Sequence, residues 1–189
     1  MEINIILFPN FETLDVFGPA EVFGKVEKFR LDYFSLNGGI ITNNDNIRIA
    51  TKKIEDIKNT AASVLFIPGG TGTRIEINNP ELLNAIKKIA ENSKYVLTVC
   101  TGSALLAKTG LLDTHKATSN KRAMDWVKTS SDKVLWDDDA RWIKDDKYYT
   151  SSGISAGIDM ALSFVKDLFG FDEAEKISLR MEYNWQTEN

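Results

Sequence analysis

A run of apolar, mostly β-branched residues ends at the only cysteine of the chain, and small, helix-forming residues follow almost at once. The run Tyr95–Val99 predicts a buried strand, and the segment after Thr101 predicts a helix. Cys100 therefore lies where a strand turns sharply into a helix. This arrangement is typical of a nucleophile elbow, in which a tight turn presents a reactive side chain at the end of a sheet. A buried strand that feeds a helix constrains the chain to an α/β fold.

Other parts of the chain repeat this alternation of short apolar strands and helices. We predict strands at Glu2–Phe8, Arg30–Leu36 and Val64–Ile67, a hairpin turn at 43–46, a polar hairpin within Lys133–Tyr149, and helices at Leu14–Val26, 79–91, 102–109, Ile154–Phe169 and Glu173–Met181. We expect Gly18-Pro19 to break or cap the first turn of the first helix. The pattern indicates one domain over residues 1–189, with a mostly parallel sheet covered by helices.

Composition excludes several classes of protein. The net charge is −4 and no basic cluster occurs, so we expect no nucleic-acid partner. The amino-terminal residues predict a strand rather than a signal peptide, and no apolar run approaches the roughly 20 residues of a membrane span. One cysteine and one histidine allow neither an intramolecular disulfide nor a usual zinc site. We therefore expect a cytoplasmic protein without a metal, a cofactor or a membrane partner.

The position of Cys100 suggests an ionised, reactive thiol. A helix amino terminus lowers the pKa of a cysteine, so we expect Cys100 to be largely thiolate at neutral pH. The Thr101 N–H would face a developing oxyanion, and Gly70 or Thr71 in the glycine loop after Val64–Ile67 would supply the second donor. The alternatives are plainer: a free cysteine is often a buried small hydrophobe, and a glycine loop is often only a tight turn.

Three polar side chains are further candidates. Asp15 follows the first strand among apolar neighbours; it is either the N-cap of a helix or a general acid/base that keeps its proton beside the thiol to unusually high pH. Glu21 is assigned a core-side or solvated role. His115 lies beyond the helix that follows Cys100, so we place it outside the site. Asn120 could orient a ligand or water, but it cannot accept a proton at neutral pH.

These residues lie within motifs that resemble the ThiJ/PfpI superfamily, which is related to class I glutamine amidotransferases. The matching segments, in chain order, are 14–23, 67–70, 99–103, 107–112, 150–159 and 181–186. The chain is most similar to the isonitrile hydratase-like branch and to the ligand-sensing domain of AraC-type regulators. The resemblance implies a flavodoxin-like three-layer sandwich and a homodimer. It also implies that Cys100 is the nucleophile, Asp15 its acidic partner, and Thr101 the neighbour found in the hydratase branch.

Two departures from the superfamily pattern reduce the range of reactions expected of this site. The protease-like branch has histidine directly after the cysteine, where this chain has Thr101, and many relatives have histidine where this chain has Asn120. With His115 outside the site, no Cys–His pair is expected, which argues against glutaminase and unassisted amide hydrolysis.

The leading hypothesis is a cysteine-dependent hydratase or hydrolase that acts on a small electrophilic carbon, such as that of an isonitrile. The alternative is a non-catalytic thiol redox sensor or ligand-binding module, and an intracellular protease or amidase ranks below both. The 189 residues contain no helix-turn-helix after 181–183, so we expect no role as a DNA-binding regulator.

Overall fold

The computed structural model describes residues 1–58 and 62–187, and its strands are short. The strands are β1 (Glu2–Ile6), β2 (Arg30–Ser35), β3 (Gly39–Thr42), β4 (Arg48–Lys53), β5 (Val64–Ile67), β6 (Tyr95–Val99), β7 (Lys116–Ala117), β8 (Leu135–Trp136), β9 (Trp142–Asp145) and β10 (Tyr148–Ser151). The helices are α1 (Thr13–Gly24), α2 (Thr73–Glu76), α3 (Pro80–Asn92), α4 (Gly102–Lys108), α5 (Met124–Lys128), α6 (Ala156–Phe169) and α7 (Phe171–Arg180).

Within the described residues, eight strands form one sheet in the order β3-β4-β2-β1-β5-β6-β10-β9. Neighbouring strands run parallel except at the two edges, where β3 pairs antiparallel with β4 and β9 pairs antiparallel with β10. Strands β7 and β8 form a separate parallel pair. Chain order changes direction at β1, which lies between β2 and β5, and the carboxyl ends of β1, β5 and β6 therefore meet at one edge. Ligand sites of open α/β sheets lie at such a switch point.

Helices cover the sheet in two groups. Helix α1 packs on α6, which packs on α7, while α3 packs on α4. The sheet between them is apolar, with all four residues of β5 buried and four of the five residues of β1. This α/β sandwich confirms the predicted fold class. In the described part of the chain, no helix has both the length and the apolarity required to cross a bilayer.

Two predicted elements need correction. Helix α1 continues through Gly18 and Pro19 without a break. Its packing against α6 leaves no room for anything larger at Gly18, where a Cβ would lie 2.7 Å from a side-chain carbon of Ile158. The segment 133–149 forms β8, β9 and the first two residues of β10, and β9 and β10 pair antiparallel, so the predicted hairpin is present. Its polar character was wrong, because β10 inserts beside β6 and all four of its residues are buried.

The segment after α7 is anchored by a fully buried carboxylate. Asp159 of α6 accepts hydrogen bonds from Arg141 (Nε, 2.8 Å), from the hydroxyl of Tyr183 (3.1 Å) and from the backbone N–H of Gln186 (3.0 Å). The Arg141 guanidinium pairs with its negative charge, and both carboxylate oxygens accept hydrogen bonds, as a buried carboxylate requires. The hydrogen bonds from Tyr183 and Gln186 fix residues 183–186 against the beginning of α6.

Candidate active site

Cys100 lies at the corner between β6 and α4 and has a left-handed backbone conformation, with φ of 56°. Its N–H donates to the carbonyls of Ser151 (3.1 Å) and Ser152 (3.3 Å). Its own carbonyl accepts from the hydroxyls of Ser103 (3.1 Å) and Ser119 (2.7 Å). A positive φ is unfavourable for a residue with a Cβ, so these hydrogen bonds stabilise a strained turn. The predicted nucleophile elbow is present.

Donors surround the sulfur atom, which belongs to a side chain that is only 6% exposed. The backbone N–H and the hydroxyl of Thr101 and the side-chain amide of Asn120 hydrogen-bond to the Cys100 side chain. Gly153 passes close by: a Cβ there would lie 3.1 Å from Sγ and would overlap the Asn120 amide. Only a glycine leaves this approach open. The structure thus brings the predicted residues Thr101 and Asn120 to the thiol.

Asp15 is fully buried and lies beside Cys100. It is the third residue of α1, whose N-cap is Glu12, so the N-cap interpretation of Asp15 is wrong. Its Oδ2 accepts from the Gly69 N–H at 3.0 Å. Its Oδ1 has no hydrogen-bond partner in the described part of the chain. A buried oxygen without a partner is costly, and such sites are often functional.

The burial of both acidic groups governs their titration. Burial raises the pKa of Asp15 from 3.8 to about 8, against the opposing hydrogen bond from Gly69. Burial, followed by the charge of Asp15, raises the pKa of the Cys100 thiol to about 12, although Thr101 and Asn120 lower it. This direction agrees with the expectation that Asp15 keeps its proton to unusually high pH.

The expected resting thiolate at Cys100 is wrong. Desolvation outweighs the donors around the sulfur, and α4 has only seven residues with which to offer a helix dipole. At neutral pH the pair consists of a carboxylic acid and a thiol. It loses its protons in two well-separated steps, because two negative charges in one buried space repel each other.

The glycine loop reaches the site, but its donors are not free at rest. The Gly70 N–H donates to Oγ1 of Thr101 at 3.1 Å, and the Thr73 hydroxyl contacts the same atom at 3.0 Å. Thr71 is exposed, and its hydroxyl accepts from the side chain of Asn44 at 2.8 Å. The Gly70 amide could serve an anion only after the Thr101 hydroxyl turns away, and Thr71 lies at the rim.

Two other candidates lie outside the site. His115, the only histidine of the chain, contacts the carboxylate of Asp145 at 3.4 Å and packs edge-on against the ring of Tyr148. Glu21 is exposed and pairs with Lys25 one helical turn away. The placement of His115 outside the site is confirmed, and Glu21 has the solvated role.

Several residues that support the site were not predicted from the sequence. These are Gly69, which orients Asp15, the Ser119 hydroxyl, and the segment from Ser151 to Gly153. The glycine at the end of Ser151-Ser152-Gly153, directly after a strand, was the available signal, since such glycines permit close backbone approach. Nothing in the local pattern pointed to Ser119.

Together, fold and site define a class: an α/β sheet protein with a cysteine at a strand-to-helix elbow and a protonated carboxyl group beside it. The model of the DJ-1/PfpI family matches residues 1–167, and the chain belongs to this family. It is 30% identical over 184 residues to an isonitrile hydratase of Pseudomonas putida, a match that covers 97% of this chain and 78% of the relative. It is 25% identical over 179 residues to the transcriptional regulator CdhR of Pseudomonas aeruginosa, of which it covers 52%.

Solved structures agree with this assignment. A ThiJ/PfpI family protein from Pseudomonas syringae superposes with a TM-score of 0.90 at 28% identity, covering 98% of this chain and 76% of that protein. DJ-1beta of Drosophila melanogaster superposes with a TM-score of 0.82 at 18% identity, covering 97% of this chain and 98% of that protein. The second likeness concerns the fold alone. The family thus includes relatives whose names indicate an enzyme and others whose names indicate a regulator.

Proposed function

We propose that the protein is a cysteine-dependent hydratase that converts small isonitriles to N-substituted formamides. The observation that carries the proposal is the fully buried carboxyl group of Asp15, which contacts the side chain of Cys100. Isonitrile hydration requires one group that first removes and then returns a proton, and it has no leaving group to protonate in the first step. The absence of a Cys–His pair therefore matters less here than in amide hydrolysis.

The first half of the reaction forms a thioimidate. In the fraction of molecules with ionised Asp15, the carboxylate takes the thiol proton, and the Cys100 thiolate adds to the terminal carbon of the isonitrile. A sulfur–carbon bond forms, and Asp15 returns the proton to that carbon. The product is Cys–S–CH=N–R, and Asp15 is again a carboxylate.

The second half releases the formamide. Water adds to the thioimidate carbon while Asp15 takes one of its protons and passes it to the nitrogen, which gives a tetrahedral adduct. The carbon–sulfur bond then breaks as the adduct hydroxyl loses its proton, and that proton returns to the sulfur by way of Asp15. The net reaction is isonitrile plus water to N-substituted formamide, with both side chains restored.

The neighbours of the thiol have supporting roles in this proposal. The Thr101 N–H and the Asn120 amide stabilise the thiolate as it forms, because both donate toward the sulfur. Gly70 offers its N–H to the adduct once the Thr101 hydroxyl has turned, and Thr71 forms part of the rim that a substrate passes.

The test is direct measurement of formamide from simple alkyl and aryl isonitriles. We expect turnover by the wild-type protein, none by Cys100→Ser, and a loss of at least about 100-fold in Asp15→Asn, since general acid–base groups contribute about 10² to 10⁴. Glu21→Gln on the same helix is the matched control and should retain full activity. Absence of turnover with every isonitrile, or equal turnover in all variants, would exclude the hydratase.

The second candidate is a thiol redox sensor, favoured by the same donors around the sulfur. Peroxide would oxidise the Cys100 sulfur to a sulfenic and then a sulfinic acid, whose oxygens the Asp15 acid and the Asn120 amide would bind. Mass spectrometry after mild peroxide treatment separates the candidates. Selective and stable gain of two oxygens at Cys100 without isonitrile turnover supports the sensor, whereas unselective oxidation counts against it.

A further inference from the structure

A cavity of about 220 Å³ lies at the carboxyl edge of the sheet beside the ends of β1 and β2. Neither Cys100 nor Asp15 lines it. Its walls are mainly apolar and come from the strand ends, the β3 edge and the first turn of α3: Leu7, Phe8, Pro9, Leu36, Ile41 and Leu82. A dry cavity of about 150 Å³ already accepts benzene. The volume therefore suits a ligand with a small aliphatic or aromatic body.

The cavity has one oriented charge, the carboxylate of Glu76. The side-chain amide of Asn79 donates to its Oε2 at 2.8 Å. Asn79 is itself fixed, because its Oδ1 caps α3 by accepting from the Leu82 N–H at 3.2 Å. A helix cap thus holds the carboxylate against the cavity wall, and Oε1 forms no hydrogen bond within the described part of the chain.

This carboxylate has no cationic partner among residues 1–58 and 62–187. The lysines of the neighbouring strand β4 are engaged elsewhere: Lys52 pairs with Asp32 at 2.6 Å and Lys53 with Glu55 at 3.3 Å. A half-buried carboxylate at an apolar wall is stabilised by a cation that also buries its own apolar part. A primary ammonium ion that carries a short hydrocarbon group combines such a positive charge with such an apolar part.

We propose that this cavity binds a small primary alkyl- or arylalkylammonium ion, with the ammonium group on Glu76 and the hydrocarbon body against Leu7, Phe8 and Leu82. An ammonium group has three N–H donors, and it can donate from one of them to Oε1 of Glu76, the oxygen that Asn79 does not occupy. Carboxyl ends of parallel strands are the usual place for ligand sites in such sheets. The inference is independent of the isonitrile chemistry, since it uses no residue of the catalytic pair.

The test is a titration followed by residue-resolved amide NMR, with benzylammonium chloride as the probe. Benzyl alcohol and benzoate serve as neutral and anionic probes of the same size. We expect saturable shifts at Leu36, Gly38 and Ile41 with benzylammonium, weaker binding at high salt, and at least about tenfold weaker binding of the other two probes. Cys100→Ser should bind benzylammonium as well as the wild-type protein does.

Variants assign the binding to Glu76. Glu76→Gln should weaken benzylammonium binding about tenfold, whereas Glu81→Gln, an exposed acid on α3 outside the cavity, should leave it unchanged. Ile41→Trp, which fills the cavity from its half-buried edge, should abolish binding. Equal binding of benzyl alcohol, an unaffected Glu76→Gln, or shifts confined to the surroundings of Cys100 would each overturn the proposal.

Discussion

Asp15 is a carboxyl group in a place where carboxylates are unstable, and this property sets the pH dependence of the proposed reaction. Burial raises its pKa to about 8, so only a minority of molecules at neutral pH carry the carboxylate that the first step needs. We expect kcat/KM for an isonitrile to increase close to tenfold per pH unit below about pH 8 and to level off above it.

The pH profile of kcat/KM from pH 6 to 9.5 checks this expectation. Glu21→Gln should give the wild-type profile, and Asp15→Asn should give low activity without an inflection near pH 8. A wild-type rate that is constant across this range would show that Asp15 does not act as the base.

The same group should destabilise the folded protein. The unfolded chain releases the Asp15 proton near pH 3.8, whereas the folded protein holds it until about pH 8. Between these values the folded state binds the additional proton, so stability decreases as pH rises through the window. Asp15→Asn keeps an oxygen for the Gly69 N–H and does not ionise. It should therefore become more stable than the wild-type protein by up to about 1.4 kcal/mol for each pH unit in the window.

Urea unfolding at pH 5, 6.5 and 8 measures this difference directly. Glu21→Gln is the control, and its difference from the wild-type protein should stay constant. If the gain in unfolding free energy of Asp15→Asn over the wild-type protein stays constant or decreases as pH rises, burial does not hold Asp15 neutral.

At the scale of elements, the site depends on how closely two loops approach. The loop from β1 to α1 carries the residues before Asp15, and the glycine loop follows β5. The Gly72 N–H donates to the Asn10 carbonyl at 3.2 Å, and the Glu12 N–H donates to the Gly69 carbonyl at 2.9 Å. A Cβ on Gly72 would collide with the carbonyl of Pro9. Hydrogen bonds between backbone groups therefore hold the loop before Asp15 and the glycine loop together.

Gly72→Ala should therefore separate these loops. We expect a loss of about 1–3 kcal/mol of stability and a decrease of more than tenfold in isonitrile turnover, since the glycine loop would move relative to Asp15. Gly24→Ala is the matched control: nothing lies within 4 Å of its added Cβ, and the change at the end of α1 should increase stability by up to about 1 kcal/mol. Denaturant unfolding and a turnover assay distinguish the two variants, and equal behaviour would contradict the close approach.

Local patterns predicted those elements whose composition marks them in the sequence alone. Strand β5, a continuous apolar run, has the predicted bounds, and α3 begins at Pro80, one residue after the predicted start. Cys100, Asp15 and Gly70 were found because Cys100 directly follows β6, and the other two lie in or beside the segments that follow β1 and β5. The place of β10 could not be predicted in this way, because its burial results from pairing with β6, about 50 residues earlier. Gly153 reaches the thiol through that pairing, and the Ser119 hydroxyl reaches the Cys100 carbonyl from the distant segment after β7, which explains why both were missed.

At the scale of the whole molecule, an apolar surface lies near the site. Leu14 and Phe17 of α1 are each 37% exposed, and Ile154, just before α6, is 41% exposed. Helices α1 and α6 pack together, so these side chains belong to one side of the molecule. Exposed apolar groups of this kind often mark an interface between subunits. They support the homodimer that the family resemblance implied, which stays a prediction.

Leu14→Glu combined with Phe17→Glu should shift a dimer to monomers in sedimentation velocity, because both charges would be buried in the interface. Leu179→Glu is the control; this leucine is 71% exposed on α7, and its replacement should leave the assembly unchanged. A wild-type protein that sediments as a monomer at all concentrations would exclude the dimer, and an unaffected double variant would place its interface elsewhere.

The two antiparallel strands at the margins of the sheet have a consequence for aggregation. Strands β3 and β9 have four residues each, and β9 carries the charged pair Lys144 and Asp145. Short or charged edge strands offer few free backbone groups to another molecule, so they oppose lateral growth of the sheet from one chain into the next. Removal of β9 would leave β10, an uncharged and fully buried strand, as the new margin. A chain shortened in this way would polymerise strand against strand.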